Sequence, residues 1–208
     1  LAGQTDVSMD ITNFVDGLLI QPNSDGSAPT TGTLSSATGN TGIGKSTFAA
    51  LTSGTYNTAL GYEALTANTT ASSNTALGSQ TLYTNTTGAQ NTAVGLGAMY
   101  LNTTGTKNVA TGYTALRNNT TGDFNTATGY RALRENTTAD NNTAVGYYAL
   151  QANTTGASET AVGHNALLSN TTGDKNTAIG DEALRSNTTA RDNVAVGETA
   201  MYANTTGD

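Results

Sequence analysis

The chain has 208 residues, of which 11% are charged, with a net charge of −7, a single His, no Cys and no Trp. That composition excludes a disulfide or thiolate-metal scaffold, and the eight scattered Lys and Arg residues form no positive stripe for nucleic acid. The longest aliphatic run, Leu18-Leu19-Ile20, is far short of the ~20 residues a helix needs to cross a bilayer, so no membrane insertion is expected.

In chain order, residues 1–39 carry Asp6, Asp10, Asp16 and Asp25 with no Lys or Arg, an alternating "DVSMDI" and an apolar "GLLI". A Pro/Ser/Gly/Thr-rich "QPNSDGSAPTTGT" leads on from there. This segment reads as an acidic N-terminal cap on the rest of the chain, or as a connector strand that pairs with the next subunit of a filament. Then comes "GNTGIGKST" at 39–47, which spells a complete phosphate-loop pattern in Gly39, Gly44, Lys45 and Ser46. A working phosphate loop follows a buried strand and opens a helix. Here "GTLSSAT" precedes it, and no apolar strand ending in Asp comes after it to hold Mg²⁺. No nucleotide is expected.

From Asn40 the sequence repeats every 17 residues without insertion, with starts at 40, 57, 74, 91, 108, 125, 142, 159, 176 and 193. The unit is N-T-A-V-G-x-x-A-L-x-x-N-T-T-G-x-x. From Asn57 onward the third position is always Ala, the fifth always Gly, the ninth Leu or Met, and the twelfth to fourteenth Asn-Thr-Thr. Disordered linkers have no reason to hold such register, and helix pairs do not fit so short a unit punctuated by Gly. Two short extended pieces per unit, T-A-V-G and the segment around A-L, fit a β-solenoid coil. Such coils stack about 4.8 Å apart. Asn-Thr-Thr-Gly supplies the sharper turn, since Asn and Gly accept left-handed angles cheaply.

Strand alternation then assigns faces. The aliphatic at position 4 and the Leu at position 9 are expected inside, with Ala and Gly opposite to let another backbone approach. Stacked Asn at positions 1 and 12 can form amide ladders between coils. Two aliphatics per coil make a thin interior, which points to chains packed side by side as a homo-oligomer, a trimer or a head-to-tail filament; a lone flattened solenoid is the alternative. The chain starts with Leu and its last repeat stops one residue short, which reads as a window of a longer protein.

The unit resembles the haemagglutinin-like head repeats of trimeric autotransporter adhesins. It is similar, too, to the N-T-A-x-G-x-x-A-L-x-x-N-T-T-G arrays of bacterial surface and phage tail-fibre-like proteins. "NTAVGYYALQANTTG" at 142–156 carries the likeness, which spans about 40–208. The unit is longer than the adhesin head repeat. The resemblance implies an all-β solenoid of the left-handed β-roll type, trimeric, at the cell surface, outside the cell or on a virion fibre.

Candidate chemistry is sparse, and neither catalysis, cofactor nor metal is expected. His164 has no partners in sequence for a triad or a metal site and reads as an exposed, incidental side chain. Asp123, Asp140 and Asp174 recur at position 16 and read as solvated turn carboxylates. Asn-Thr-Thr creates an N-glycosylation acceptor pattern at Asn68, Asn85, Asn102, Asn119, Asn136, Asn153, Asn170, Asn187 and Asn204, with Asn118 and Asn141 besides. The same residues are equally good turn and ladder chemistry. Position 6 carries Tyr62, Tyr113, Tyr130 and Tyr147; position 10 carries Tyr83, Tyr100, Tyr202, Arg117, Arg134 and Arg185. These columns are candidates for carbohydrate or a partner chain, or for stacking between coils. The expected function is a non-catalytic structural or adhesive fibre module. A receptor- or glycan-binding shaft is the alternative, with ice binding behind it because the Thr pair falls in the turn.

Overall fold

The computed structural model describes residues 7–8, 14–15, 17–20 and 36–207. Among them every regular element is a strand. The chain enters through β1 (Val7–Ser8), β2 (Phe14–Val15), β3 (Leu18–Ile20), β4 (Ala37–Thr38) and β5 (Thr41–Ile43). One strand per coil comes next: β6 (Thr58–Leu60), β7 (Thr75–Leu77), β8 (Thr92–Val94), β9 (Val109–Thr111), β10 (Thr126–Thr128), β11 (Thr143–Val145), β12 (Thr160–Val162), β13 (Thr177–Ile179) and β14 (Val194–Val196). β3 and β5 to β14 form one parallel run, and from β5 on each unit position lies on its own equivalent, for example Ala127↔Ala144↔Ala161, while β2 and β4 pair in a separate two-stranded parallel sheet. This is a parallel β-solenoid with one coil per 17-residue unit.

Part of the N-terminal segment, β1 and β3, joins the same sheet. β3 pairs with β5, placing Leu19 opposite Gly42, and β1 closes that edge antiparallel. Leu19 is buried, filling the place that Ala takes in later coils. The acidic Asp6, Asp10, Asp16 and Asp25 and the Pro-rich lead-in to residue 33 lie outside the described residues.

The interior differs from the expected one. Position 3 points inward in every coil, and Ala59, Ala76, Ala93 and their equivalents are buried. The aliphatics at position 4 point out: Leu60, Val94, Val145 and Ile179 are all exposed. Alternation decides that positions 2 and 4 share a face, but not which face is inside. The buried column at position 9 settles that, with Leu65, Leu82, Met99, Leu116, Leu133, Leu150, Leu167 and Leu184 fully covered. These leucines, with Ala at position 8, fill the gap between the coil's walls, leaving room opposite only for a methyl group. Each buried Leu is worth about 1.5–3 kcal/mol.

The second extended piece is absent too. Positions 6–11 form a run of turns, because positions 7 and 9 take left-handed angles, as at Glu182 (φ 54°) and Leu184 (φ 50°). The run still bonds from coil to coil. Leu133 N–H donates to the Ala149 carbonyl (3.0 Å) and Arg131 N–H to that of Tyr113 (3.0 Å), in opposite directions along the stack. Left-handed residues that are not Gly cost about 1–2 kcal/mol each, a cost offset here by these bonds and the buried Leu. Asn-Thr-Thr-Gly, by contrast, turns without a positive φ at its Asn or Gly. Space is tight at its last position: an added Cβ at Gly88 would press on the Gly105 carbonyl unless the coil shifts, and every coil holds either Gly or a buried Ala there, as at Ala71, Ala139 and Ala190.

Candidate functional site

Asparagine lines the interior in two columns. At position 1, Asn74 Nδ2 donates to the Gly88 carbonyl (2.9 Å) of its own coil, and its Oδ1 accepts the Asn91 backbone N–H (2.9 Å) of the next. At position 12, Asn85 Nδ2 donates to that same Gly88 carbonyl (2.9 Å), while its Oδ1 accepts Asn102 Nδ2 (2.8 Å). The pattern recurs through the stack, as at Asn125, Asn136 and Ala139. Buried polar groups are generally paired, and here the ladder supplies most coils' partners from their neighbours; Oδ1 of Asn68 and of Asn187, near the two ends of the position-12 column, has none.

Eight of the nine repeated acceptors are turned inward in the folded chain. Asn68, Asn85, Asn102, Asn119, Asn136, Asn153, Asn170 and Asn187 are fully buried, and the Nδ2 that a glycan would occupy is already a donor. Asn204, in the last described coil, is half-buried, with Nδ2 donating to the Gly207 carbonyl (2.9 Å). Asn118 is half-buried and bonded to Glu135, and Asn141 is exposed.

One coil breaks the ladder. Glu159 stands where position 1 is Asn, and it is fully buried. Its N–H donates to Asn142 Oδ1 (2.9 Å), and its carboxyl accepts Asn176 N–H (3.2 Å) and Nδ2 (3.0 Å). Burial pushes its pKa from an ordinary 4.5 up to about 8, the bonds from Asn176 offsetting part of the shift. A carboxylate has no amide to donate to the Gly173 carbonyl, which keeps only Asn170 Nδ2 (3.1 Å).

The position-16 aspartates are structural rather than merely solvated. Asp123, Asp140 and Asp174 each accept the backbone N–H of the preceding coil, from Thr106 (2.6 Å), Asp123 (2.7 Å) and Ala157 (2.8 Å). Ser72 does the same for Thr55 (3.0 Å).

The aromatic columns stack along the axis. Tyr113, Tyr130 and Tyr147 lie nearly parallel with centroids 5.1 Å apart, and His164 continues the column 5.6 Å beyond. Tyr148 meets Tyr130 and Tyr147 edge-on, and the Arg131 guanidinium lies 5.2 Å from the Tyr130 ring centre. A hydrogen bond with Tyr148 raises the Tyr147 pKa. His164 is thus no incidental side chain: it extends the ladder and bonds through Nδ1 to Asp181 (2.6 Å). At position 10, Tyr83 stacks on Tyr100 (4.9 Å), and Arg117 covers the other side of Tyr100 (4.9 Å). Arg134 pairs with Glu135, and Arg185 Nη1 donates to the Tyr202 hydroxyl (2.7 Å). Tyr62 is exposed beside Glu63, whose hydrogen bond raises its pKa. Ring faces in these stacks are turned to one another.

The phosphate-loop pattern dissolves in three dimensions. Thr41–Ile43 is an ordinary coil strand, Lys45 is exposed, and residues 45–50 are turns rather than a helix. Sequence reasoning missed the outward strand face, where Thr58, Thr92 and Val109 at position 2 flank exposed position-4 aliphatics. The alternating T-A-V was the available signal, read with its faces reversed. Among the described residues no group of His, Asp and Glu could hold a metal ion, and no helix is long and apolar enough to cross a membrane. No family model, curated protein or solved structure matches the chain.

Proposed function

We propose that this chain is a non-catalytic rod module of an extracellular, cell-surface or virion fibre, with structural and adhesive roles. The observation that carries the reading is where the recurring side chains are spent. Asn at positions 1 and 12, Thr at position 13 and the position-16 groups bond one coil to the next, so the repeat serves length and stiffness. Ten coils span roughly 48 Å at the usual strand spacing.

The outward face of the sheet supports self-association. It carries the exposed aliphatics Ile43, Leu60, Val94, Val145, Ile179 and Val196 in one column, with Thr111 and Thr128 between them, beside a position-2 column that is mostly Thr. Exposed aliphatics aligned in this way mark an association surface. Several chains packed side by side through this face, as in the trimer implied by the repeat's resemblance, would cover it and complete the thin interior. Ice is the competing occupant of that face, since its mostly Thr column at position 2 is in register; the aliphatics at position 4 favour chain packing.

Electron microscopy together with analytical ultracentrifugation tests the reading. Straight rods of associated chains are expected, reduced to single chains by Val145→Lys with Val162→Lys. Compact or monomeric wild-type particles at high concentration would sink it. Thermal hysteresis from unassociated chains would favour ice instead.

A further inference from the structure

The column Tyr113–Tyr130–Tyr147–His164 occupies four successive coils at one position, with centroid spacings of 5.1, 5.1 and 5.6 Å. Its members are exposed to solvent, and stacking turns their faces toward one another. The groups left for a ligand are a row of ring edges, one per coil, with phenol hydroxyls on Tyr113, Tyr130 and Tyr147, the last shared with Tyr148. Arg131 adds donors alongside, its Nη1 reaching the Tyr148 hydroxyl (3.3 Å), and its Nε is buried without a partner. His164 and Asp181 close one end of the row.

A protein hot spot calls for an aromatic anchor that buries its body in a pocket, and a ring held between two others cannot offer one. A row of polar edges repeating with the coil calls instead for a linear polymer whose units advance at the same length. Extended β-1,4-linked polysaccharides advance by close to one coil spacing per sugar, successive sugars being turned over so that each presents alternating edge hydroxyls, whereas α-1,4-linked glucans coil and lose step. Ring edges carry the positive side of the aromatic quadrupole and suit sugar oxygens.

We infer that Tyr113, Tyr130, Tyr147 and His164, flanked by Arg131 and Tyr148, form a binding stripe for one extended β-1,4-linked polysaccharide laid parallel to the solenoid axis, one sugar per coil. The stripe does not depend on the rod reading: rods that bind no glycan would sink the stripe alone.

Isothermal titration calorimetry of the whole chain with cello- and chito-oligosaccharides, from disaccharide to hexasaccharide, tests it. Affinity should climb with length to the tetrasaccharide, matching the four coils, and then level off, with maltohexaose silent. Tyr130→Phe and Tyr147→Phe keep the stacked rings and remove the hydroxyls; each should weaken binding about tenfold with thermal stability unchanged. Tyr62→Ala, at the same unit position but three coils before the stripe and separated from it by Ser79 and Leu96, should leave binding intact. Absence of binding at millimolar oligosaccharide, affinity independent of length, or Phe variants that bind like the wild type would each overturn the proposal.

Discussion

Glu159 is the residue at which the ladder's logic can be tested by pH. Its carboxyl is raised by burial from 4.5 to about 8 in the folded chain, with Asp174 adding to the shift. The folded state therefore holds this proton more tightly than the unfolded state does. The stabilisation is intact below about pH 4.5, is lost as pH rises towards about 8, and changes no further above that. Glu159→Asn restores the amide found at this position in the neighbouring coils. In chemical denaturation the variant should be more stable than wild type at pH 8, by on the order of a few kcal/mol, with the gap shrinking towards pH 4.5; a pH-independent gap would refute the linkage. The other asparagines yield a second expectation. In chains secreted from a glycosylating eukaryotic host, intact-mass and peptide mapping should find Asn68 through Asn187 unmodified at position 12. Glycan on Asn119 or Asn136 in folded protein would mean that the inward ladder is wrong.

The coil is a three-residue strand, a turn run with two left-handed residues, and an Asn-Thr-Thr bend. Gly at position 5 is irreplaceable in this element for two reasons at once. Gly146 has φ 144°, and an added Cβ would overlap the Gly163 carbonyl of the adjacent coil. Gly146→Ala should cost more than about 2 kcal/mol in chemical denaturation. Thr114 is the opposite case. It is β-branched at φ 49°, and its buried hydroxyl has no partner. The preceding coil already places Gly97 at this position with φ 64°. Thr114→Gly removes both penalties and should stabilise the chain by about 1 kcal/mol, measured by the same denaturation; a loss of stability would show that side-chain packing at position 7 outweighs backbone strain.

At the scale of the whole molecule, each coil touches chiefly its neighbours, so stability accumulates along one dimension. Deleting residues 125–141, one complete unit, should leave a folded rod shorter by about 4.8 Å, with circular dichroism per residue unchanged. Deleting one residue fewer or one more shifts every later side chain out of its column and should unfold the coils beyond the deletion. A chain that tolerates all three deletions equally would not be an in-register stack.

Much of this was legible in the sequence because repetition reports what every coil must satisfy. The strict period, the constant Gly at position 5 and the recurring Asn at positions 1 and 12 announced stacked coils and amide ladders before any coordinate. The aromatic columns at positions 6 and 10 were visible for the same reason. The inside was not. Alternation pairs Thr58 with Leu60 and leaves Ala59 opposite, and hydrophobicity then favours burying the leucine; the chain buries the alanine. The reversal comes from the far wall of the coil, where the left-handed backbone at Leu65 and its equivalents directs a leucine into the centre and leaves space only for a methyl group. The fate of the sequons has the same cause: a motif shows that Asn is followed by Thr, but only the closed coil turns its amide inward. Sequence by itself determined the period and the stacking, because register is written in one dimension. Tertiary structure alone decided which face is core and which is surface, because that depends on how the opposite wall of the coil is already filled.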